Sequence, residues 1–264
     1  MMLTNAIVLA AGQGSRLKPL TNDWPKCLMP IHGVPILEYW LSDLIASSVS
    51  PIIVNTHYHA QLVADYLSRP RFNSIVQQYY EANLLGTAGT IRALSNKLLK
   101  GPTLIIHGDN WCEFPLINLV NFHTHTRPTE CPISMLTFDT DTPETCGILE
   151  LDSKNIVQQI YEKKVGNFGT TANAAVYVIE PEVVHWIVEN KSNDFSTDVL
   201  PAFLGRIATI HNTGFHYDIG SAPSLCRAQS TNTKSLIWEK EDLWLHKFSN
   251  HKIHQSISSL CTEN

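Results

Sequence analysis

The residues best suited to chemistry lie near the start of the chain, in Leu9-Ala10-Ala11-Gly12-Gln13-Gly14-Ser15-Arg16, with Lys26 ten positions beyond Arg16. Small side chains in such a turn leave backbone N–H groups open to curl around phosphate oxygens. Arg16 adds a planar, multi-donor fork for the same oxygens. Lys26, carried in an extended approach by Pro25, supplies a second cation. This order of residues is suited to gripping a nucleoside triphosphate. It is not a Walker-type loop, which needs Gly-Lys-Ser/Thr after its second glycine. Nor is it a dinucleotide fingerprint, because Leu17 stands where the third glycine belongs. Two aspartates could complete the site, Asp109 in His107-Gly108-Asp109 and Asp218 in Tyr217-Asp218-Ile219-Gly220. Each follows a strand-like run, and Gly108 is expected to leave room for phosphate. Alone, either aspartate reads equally well as a turn residue. Paired beside a phosphate loop, they suit Mg²⁺, which takes oxygen ligands and shares them with phosphates.

The pattern G-x-G-[ST]-R-x-x-P-L-T followed by P-K resembles the signature of the sugar-1-phosphate nucleotidyltransferases. It stands here as Gly12, Gly14, Ser15, Arg16, Pro19, Leu20, Thr21, Pro25 and Lys26. The resemblance covers roughly residues 5 to 228. The wording of Leu85-Gly86-Thr87-Ala88-Gly89, Glu162-Lys163 and Asp218-Ile219-Gly220 is most similar to short mannose-1-phosphate guanylyltransferases. It implies a metal on Asp109 and Asp218, with Arg16, Lys26 and Asp109 as the catalytic residues. Arg16 would hold the β- and γ-phosphates that leave as pyrophosphate, and Lys26 would bridge the sugar phosphate and the α-phosphate. The segment from Glu81 to Thr90 resembles a second nucleotide-contacting loop, which adds Gly86 and Thr87. On the sugar side the matching positions are Gly147, Glu162, Lys163 and Asn173. Lys164 replaces a proline usual there, and in Asn173-Ala174-Ala175 an alanine stands where glycine is common.

One inference about the base follows from chemistry. A carboxylate accepts hydrogen bonds and donates none. Guanine offers two adjacent donors on its Watson–Crick edge, whereas uracil and thymine offer one N–H between two acceptors. If Glu81 reads the base, GTP is the natural substrate; otherwise Glu81 is a solvated loop residue.

These residues need a frame, and the rest of the chain predicts one. Ile7-Val8-Leu9, Pro51–Asn55, Ser74–Val76 and Thr103–His107 read as strands. Ile36–Ala46, Ala60–Leu67 and Gly89–Leu99 read as helices between them. This rhythm predicts an α/β fold with a single doubly wound, mostly parallel, Rossmann-like sheet, with ligands beyond the carboxyl ends of its strands. Later strands are expected at Ile133–Phe138, Gly147–Asp152, Ile156–Glu162, Ala174–Ile179, Ile207–Ile210 and Phe215–Ile219, with a helix at Pro181–Glu189. The resemblance makes them an added sugar-binding β region. One domain is expected over residues 1–229, with a nucleotide-binding half near 1–115 and a sugar-binding half near 116–229. Residues 230–264 make a helical tail whose Leu236, Ile237, Trp238, Leu243, Trp244 and Leu245 cover the core or meet another copy in a homo-oligomer.

Composition narrows the classes. The chain has 264 residues, 44% of them hydrophobic and 16% charged. That is enough to bury a full α/β core. A net charge of −5 argues against a nucleic-acid partner. No apolar run of about 18 residues exists to span a membrane. The first residues carry no basic leader region, and the six cysteines are dispersed, which predicts a cytoplasmic chain with reduced thiols. Cys27 reads as a core residue. Among the twelve histidines, the pairs His57/His59 and His123/His125 lack a third ligand and read as surface or loop residues rather than a zinc site.

The expectation is therefore a Mg²⁺-dependent transfer of a nucleotidyl group from an NTP to a sugar 1-phosphate. The rival within the same chemistry uses UTP or CTP with N-acetylmuramate 1-phosphate or phosphocholine, or GTP with a heptose or amino-hexose 1-phosphate. A non-catalytic, nucleotide-sensing homologue is the rival from another class, and it is disfavoured because all four charged residues are present.

Overall fold

The computed structural model describes residues 5–98, 100–231 and 242–263. Its first elements are β1 (Asn5–Leu9), β2 (Pro30–Ile31), β3 (Val34–Pro35), α1 (Ile36–Ala46), β4 (Ile52–Thr56), α2 (Ala60–Leu67) and β5 (Val76–Tyr80). Next come α3 (Thr87–Ala93), α4 (Ser95–Leu98), β6 (Thr103–His107), β7 (Asn110–Cys112), α5 (Leu116–Asn121), β8 (Ile133–Asp139), β9 (Gly147–Leu151) and β10 (Val157–Glu162). The chain closes with β11 (Thr171–Ile179), α6 (Pro181–Glu189), β12 (Ile207–Asn212), β13 (His216–Asp218), α7 (Ala222–Gln229), α8 (Leu243–Ser249) and α9 (Ile253–Glu263). The result is the expected α/β fold around a large sheet. Among the described residues the chain forms two compact units. One takes the chain start through Ile7 with Leu84–Ile106 and Glu113–Phe215; the other takes Val8–Asn83, His107–Cys112 and the chain from His216.

The second unit holds the glycine turn. β4 and β5 pair in parallel from Ile52↔Val76 to Thr56↔Tyr80. α1 buries Ile36, Leu37, Trp40, Leu41 and Leu44 on one face, a stripe at helical spacing. Two departures from expectation have local causes. β5 runs over Val76–Tyr80 rather than Ser74–Val76, because its Gln and Tyr side chains are mostly exposed and hide the strand from a hydrophobicity reading. The tail is also more integrated than its polar composition suggests. Trp244 stacks on Phe248 at 5.0 Å, and Phe248 on Trp24 at 5.8 Å. Asp242 pairs with the buried Arg69, which also reaches Glu38 at 2.8 Å. Leu236, Ile237 and Trp238 lie outside the described residues, whereas Leu243 is exposed. The cysteine expectation needs correcting, since Cys226 and Cys261 form a disulfide across 35 residues of sequence. Packing of α7 against α9 makes that pair, and no local spacing announces it. Cys27, Cys112, Cys131 and Cys146 are not in disulfides.

The first unit centres on β11, which runs antiparallel to β6, β8 and β9, while β12 pairs in parallel with β8. The helix expected over Gly89–Leu99 starts earlier, at Thr87, and is interrupted at Leu94. Its early start has a cause: the backbone oxygen of Asn193 accepts from the N–H groups of Ala88 and Gly89 and caps that end. His123 is a further correction. It is buried in an irregular helical turn, bonded to Ser134 Oγ at 2.8 Å and to Glu180 Oε1 at 3.2 Å. Burial, with Arg127 adding, pushes its pKa down to about 3, so it stays neutral. The Ser-His-Glu order of that chain imitates a nucleophilic triad, but Ser134 is fully buried and no substrate carbonyl can reach it. Among the described residues no helix is long and apolar enough to cross a membrane.

Candidate active site

The strand pair β7–β13 brings the two aspartates together. Its antiparallel register sets Asp218 opposite Asn110, so Asp109, one residue before β7, lies beside Ile219, whose N–H donates to the Asp109 carbonyl at 3.2 Å. Between the two carboxylates sits Lys26. Its Nζ donates to Asp109 Oδ2 at 2.6 Å and to Asp218 Oδ1 at 2.7 Å. Arg16 Nη2 reaches the other oxygen of Asp218 at 3.2 Å. The Lys26 side chain is only 8% exposed, whereas Arg16 is 67% exposed. Burial opposes the Lys26 charge, but Asp109 and Asp218 outweigh it and raise its pKa. Burial likewise opposes the Asp109 charge, and Lys26 outweighs it, lowering that pKa. Both groups are therefore charged at neutral pH.

Gly220 makes this cluster sterically feasible. A Cβ there would lie 2.7 Å from Arg16 Nη2 and 2.9 Å from both Asp218 Oδ1 and Lys26 Nζ. Gly220 also donates its N–H to Asp218 Oδ1 at 2.9 Å. Its position in Asp-Ile-Gly was visible in the sequence, but its role is visible only in space. A Cβ on Gly108 would meet Val8 Cγ1 at 2.9 Å, so its lack of a side chain serves close packing on β1, a role the sequence reading did not include.

The glycine turn is fixed by its second glycine. Gly14 sits at φ +63°, and a Cβ there would strike Thr21 Cγ2 at 2.8 Å. Glycine alone adopts that conformation without steric cost. Thr21 in turn donates its hydroxyl to the Gly14 carbonyl, closing the turn. Gly12, Gln13 and Ser15 are exposed, and among the described residues their N–H groups meet no protein acceptor. The Ala10 N–H is already committed, to Asn55 Oδ1 at 2.6 Å. Arg16 also borders a cavity of about 480 Å³ shared with Trp24, Ala222, Lys252 and Ser256.

Glu81, directly after β5, is only 3% exposed, which removes the solvated-loop alternative. Its Oε1 accepts from Asn55 Nδ2 at 2.9 Å. Asn55 carries no chemical signature in the sequence, and only its contacts reveal it. Cys27 is buried, and burial pushes its pKa up to about 12, an inert thiol as expected.

In the other unit, Gly147, Glu162 and Asn173 come together. A Cβ on Gly147 would lie 2.6 Å from Glu162 Oε2 and 3.8 Å from Asn173 Cβ. Asn173 donates to Tyr177 Oη at 2.7 Å and accepts from the Ala175 N–H at 2.9 Å. Ala175 adopts φ +54° within a register shift of β11. A positive φ at an irregularity of this kind explains why glycine suits that position. Lys163 sits at φ +49° with its amine 3.7 Å from Glu162 Oε1. That ion pair is largely exposed and worth little energetically. Gly86, exposed, and Thr87, half-buried, both lie against the 193–195 segment. The Asn193 carbonyl oxygen occupies the space a Gly86 Cβ would need, and Thr87 Oγ1 accepts from the Phe195 N–H at 2.7 Å.

Asp109 and Asp218 are the residues that could hold a divalent cation. Among the described residues, no group of three His, Cys, Asp or Glu side chains could hold a metal by itself. The point on which the two carboxylates converge holds the Lys26 amine, so a cation sharing its ligands with phosphates would take their remaining oxygens.

Comparison with known proteins decides the family. A model of the nucleotidyl transferase family matches residues 5–235. The chain belongs to that family. Relatives include a mannose-1-phosphate guanylyltransferase of Mycobacterium tuberculosis, 28% identical over 86% of this chain and 64% of its own. A mannose-1-phosphate guanyltransferase 2 of Candida glabrata is 26% identical over 81% of this chain and 60% of its own. The chain thus spans less than two thirds of the length of these relatives. Among solved structures, HddC of Yersinia pseudotuberculosis complexed with GMP-PN superposes with a TM-score of 0.71 at 25% identity, covering 86% of this chain and 98% of that one. A Bacillus anthracis chain solved in complex with sucrose shares the fold, with a TM-score of 0.77 at 22% identity over 88% of this chain and 98% of that one.

Proposed function

We propose that this nucleotidyltransferase joins GTP to a hexose or heptose 1-phosphate, mannose 1-phosphate first among them, releasing pyrophosphate and forming a nucleotide sugar. The observation that carries the reading is Lys26 held between Asp109 and Asp218, with Arg16 on the outer oxygen of Asp218. These four side chains sum to zero charge, so by themselves they offer a triphosphate no net attraction. Mg²⁺ on Asp109 and Asp218 would supply the missing positive charge and polarise the phosphate oxygens.

The roles of the chain's own residues follow from reach and burial. Lys26, buried and fixed by two partners, aligns the attacking sugar phosphate with the α-phosphorus. Arg16, exposed at its tip, stabilises the β- and γ-oxygens as charge collects on the leaving pyrophosphate. The N–H groups of Gly12, Gln13 and Ser15 complete the phosphate cradle. No covalent nucleophile is required, because positioning and charge neutralisation suffice for in-line displacement. Glu81 favours guanine by accepting from its two adjacent donors. Glu162, Asn173 and the bare backbone of Gly147 are assigned to the sugar, and Lys163 to its phosphate.

The reading is supported by the family match and by relatives bearing mannose-1-phosphate guanylyltransferase names. It is tested by pyrophosphate release in Mg²⁺ with GTP, UTP, CTP, dTTP and ATP against a panel of sugar 1-phosphates and phosphocholine. Release with GTP and a hexose or heptose 1-phosphate is expected. Release with UTP or CTP would keep the chemistry and discard the role of Glu81. Silence with every pair would favour a nucleotide-sensing protein.

A further inference from the structure

Asn55 links the start of the phosphate loop to Glu81. It lies in β4, is 3% exposed, and both ends of its amide are engaged. Oδ1 accepts from the Ala10 N–H at 2.6 Å, and Nδ2 donates to Glu81 Oε1 at 2.9 Å. The amide has one workable orientation. Flipped, it would face N–H against N–H at Ala10 and oxygen against carboxylate at Glu81.

The main chain of Glu81 is pinned separately. Its N–H donates to the Thr56 carbonyl at 2.8 Å, and its carbonyl lies 2.8 Å from His57 Nδ1. With the backbone held, the carboxylate is aimed by its side-chain torsions, and Asn55 restrains them. The same amide anchors Ala10, the residue that leads from β1 into the glycine turn.

We infer that Asn55 is a positioning residue for base selection: it aims Glu81 at the guanine edge and registers that edge against the phosphate loop. The inference rests on the assignment of Glu81 to the base.

The test compares GTP with ITP, whose base lacks the 2-amino group, in pyrophosphate release with Mg²⁺ and mannose 1-phosphate. The quantity read is the ratio of kcat/KM values for the two nucleotides on one preparation, so an incompletely folded sample cancels. Asn55→Asp keeps an acceptor for Ala10 but turns an oxygen toward Glu81; Asn55→Ala removes both bonds. Wild type is expected to favour GTP, and both variants to lose about tenfold of that preference, the scale of one hydrogen bond to a charged group. For a variant too slow to assay, the ratio of GDP to IDP affinities by equilibrium dialysis gives the same reading. Full retention of the GTP preference in both variants overturns the role of Asn55 and leaves Glu81 standing. Equal use of GTP and ITP by wild type removes Glu81 from base selection, and Asn55 with it.

Discussion

The two units prepare for their ligands in opposite ways. Around Lys26 the preparation is electrostatic: four charged side chains already neutralise one another, and a glycine makes the space they need. Around Asn173 it is steric and neutral: an amide is fixed by Tyr177 and by the Ala175 N–H, and Gly147 leaves the backbone bare beside Glu162. The difference matches the ligands proposed for each. A polyphosphate demands charge balance before it can approach. A sugar demands oriented hydrogen bonds and room for its ring. Damage to the first region should strike the rate, and damage to the second should strike sugar affinity.

The largest effect should come from Lys26→Met. It removes a buried cation and leaves two aspartates facing each other, and kcat should fall by about 10²–10³-fold. A loss confined to KM would erase the contrast between the units. Gly220→Ala comes next, because its Cβ must push into Arg16 and Lys26. Turnover should drop about tenfold or more with little change in melting temperature, as expected for a displaced charge in a catalytic centre. Gly147→Ala sharpens the other side of the comparison. It should raise KM for the sugar 1-phosphate by about tenfold at nearly constant kcat, the mark of lost uniform binding.

Smaller still is the effect of Cys226→Ser, read by thermal unfolding with and without reductant. Loss of the disulfide should cost about 2–4 kcal/mol of stability, and turnover at ordinary assay temperature should hardly change. Wild type that melts identically under reduction would show that the cross-link contributes nothing. Acid should bring an unfolding contribution of its own. The pKa of Asp109 is lowered on folding, so its stabilisation is present above the unfolded value of 3.8 and is lost as pH falls through the folded value. Lys26 works from the other end, since its raised pKa stabilises below 10.5 and fades as pH climbs through the folded value. A stability plateau through neutral pH is expected, and Asp109→Asn should flatten its acid edge.

Much of this was legible beforehand. The glycine turn, Arg16 and Lys26 stand out by residue type and spacing, and the two aspartates by the resemblance; the fold brings the four charged side chains together. Helices such as Ile36–Ala46 follow from hydrophobic spacing alone. What escaped notice depends on contacts distant in sequence. Asn55 is an ordinary strand residue until Ala10 and Glu81 flank it. Cys226 and Cys261 meet only because two helices pack. Gly108 packs tightly on β1, a contact its residue type does not announce. Roles written in one residue's chemistry can be read from sequence, whereas roles written in a distance must wait for the fold.

The proposed function turns on one arrangement, in which Asp109 and Asp218 hold a divalent cation while Lys26 and Arg16 meet the phosphates. Its most direct test is Mn²⁺ binding followed by water-proton relaxation, with GTP present, for wild type, Asp109→Asn and Asp218→Asn. We predict tight Mn²⁺ binding by wild type and a loss of about tenfold or more in each variant, a substantial fraction of a carboxylate–metal contact. Equal Mn²⁺ affinity in all three proteins would contradict the account.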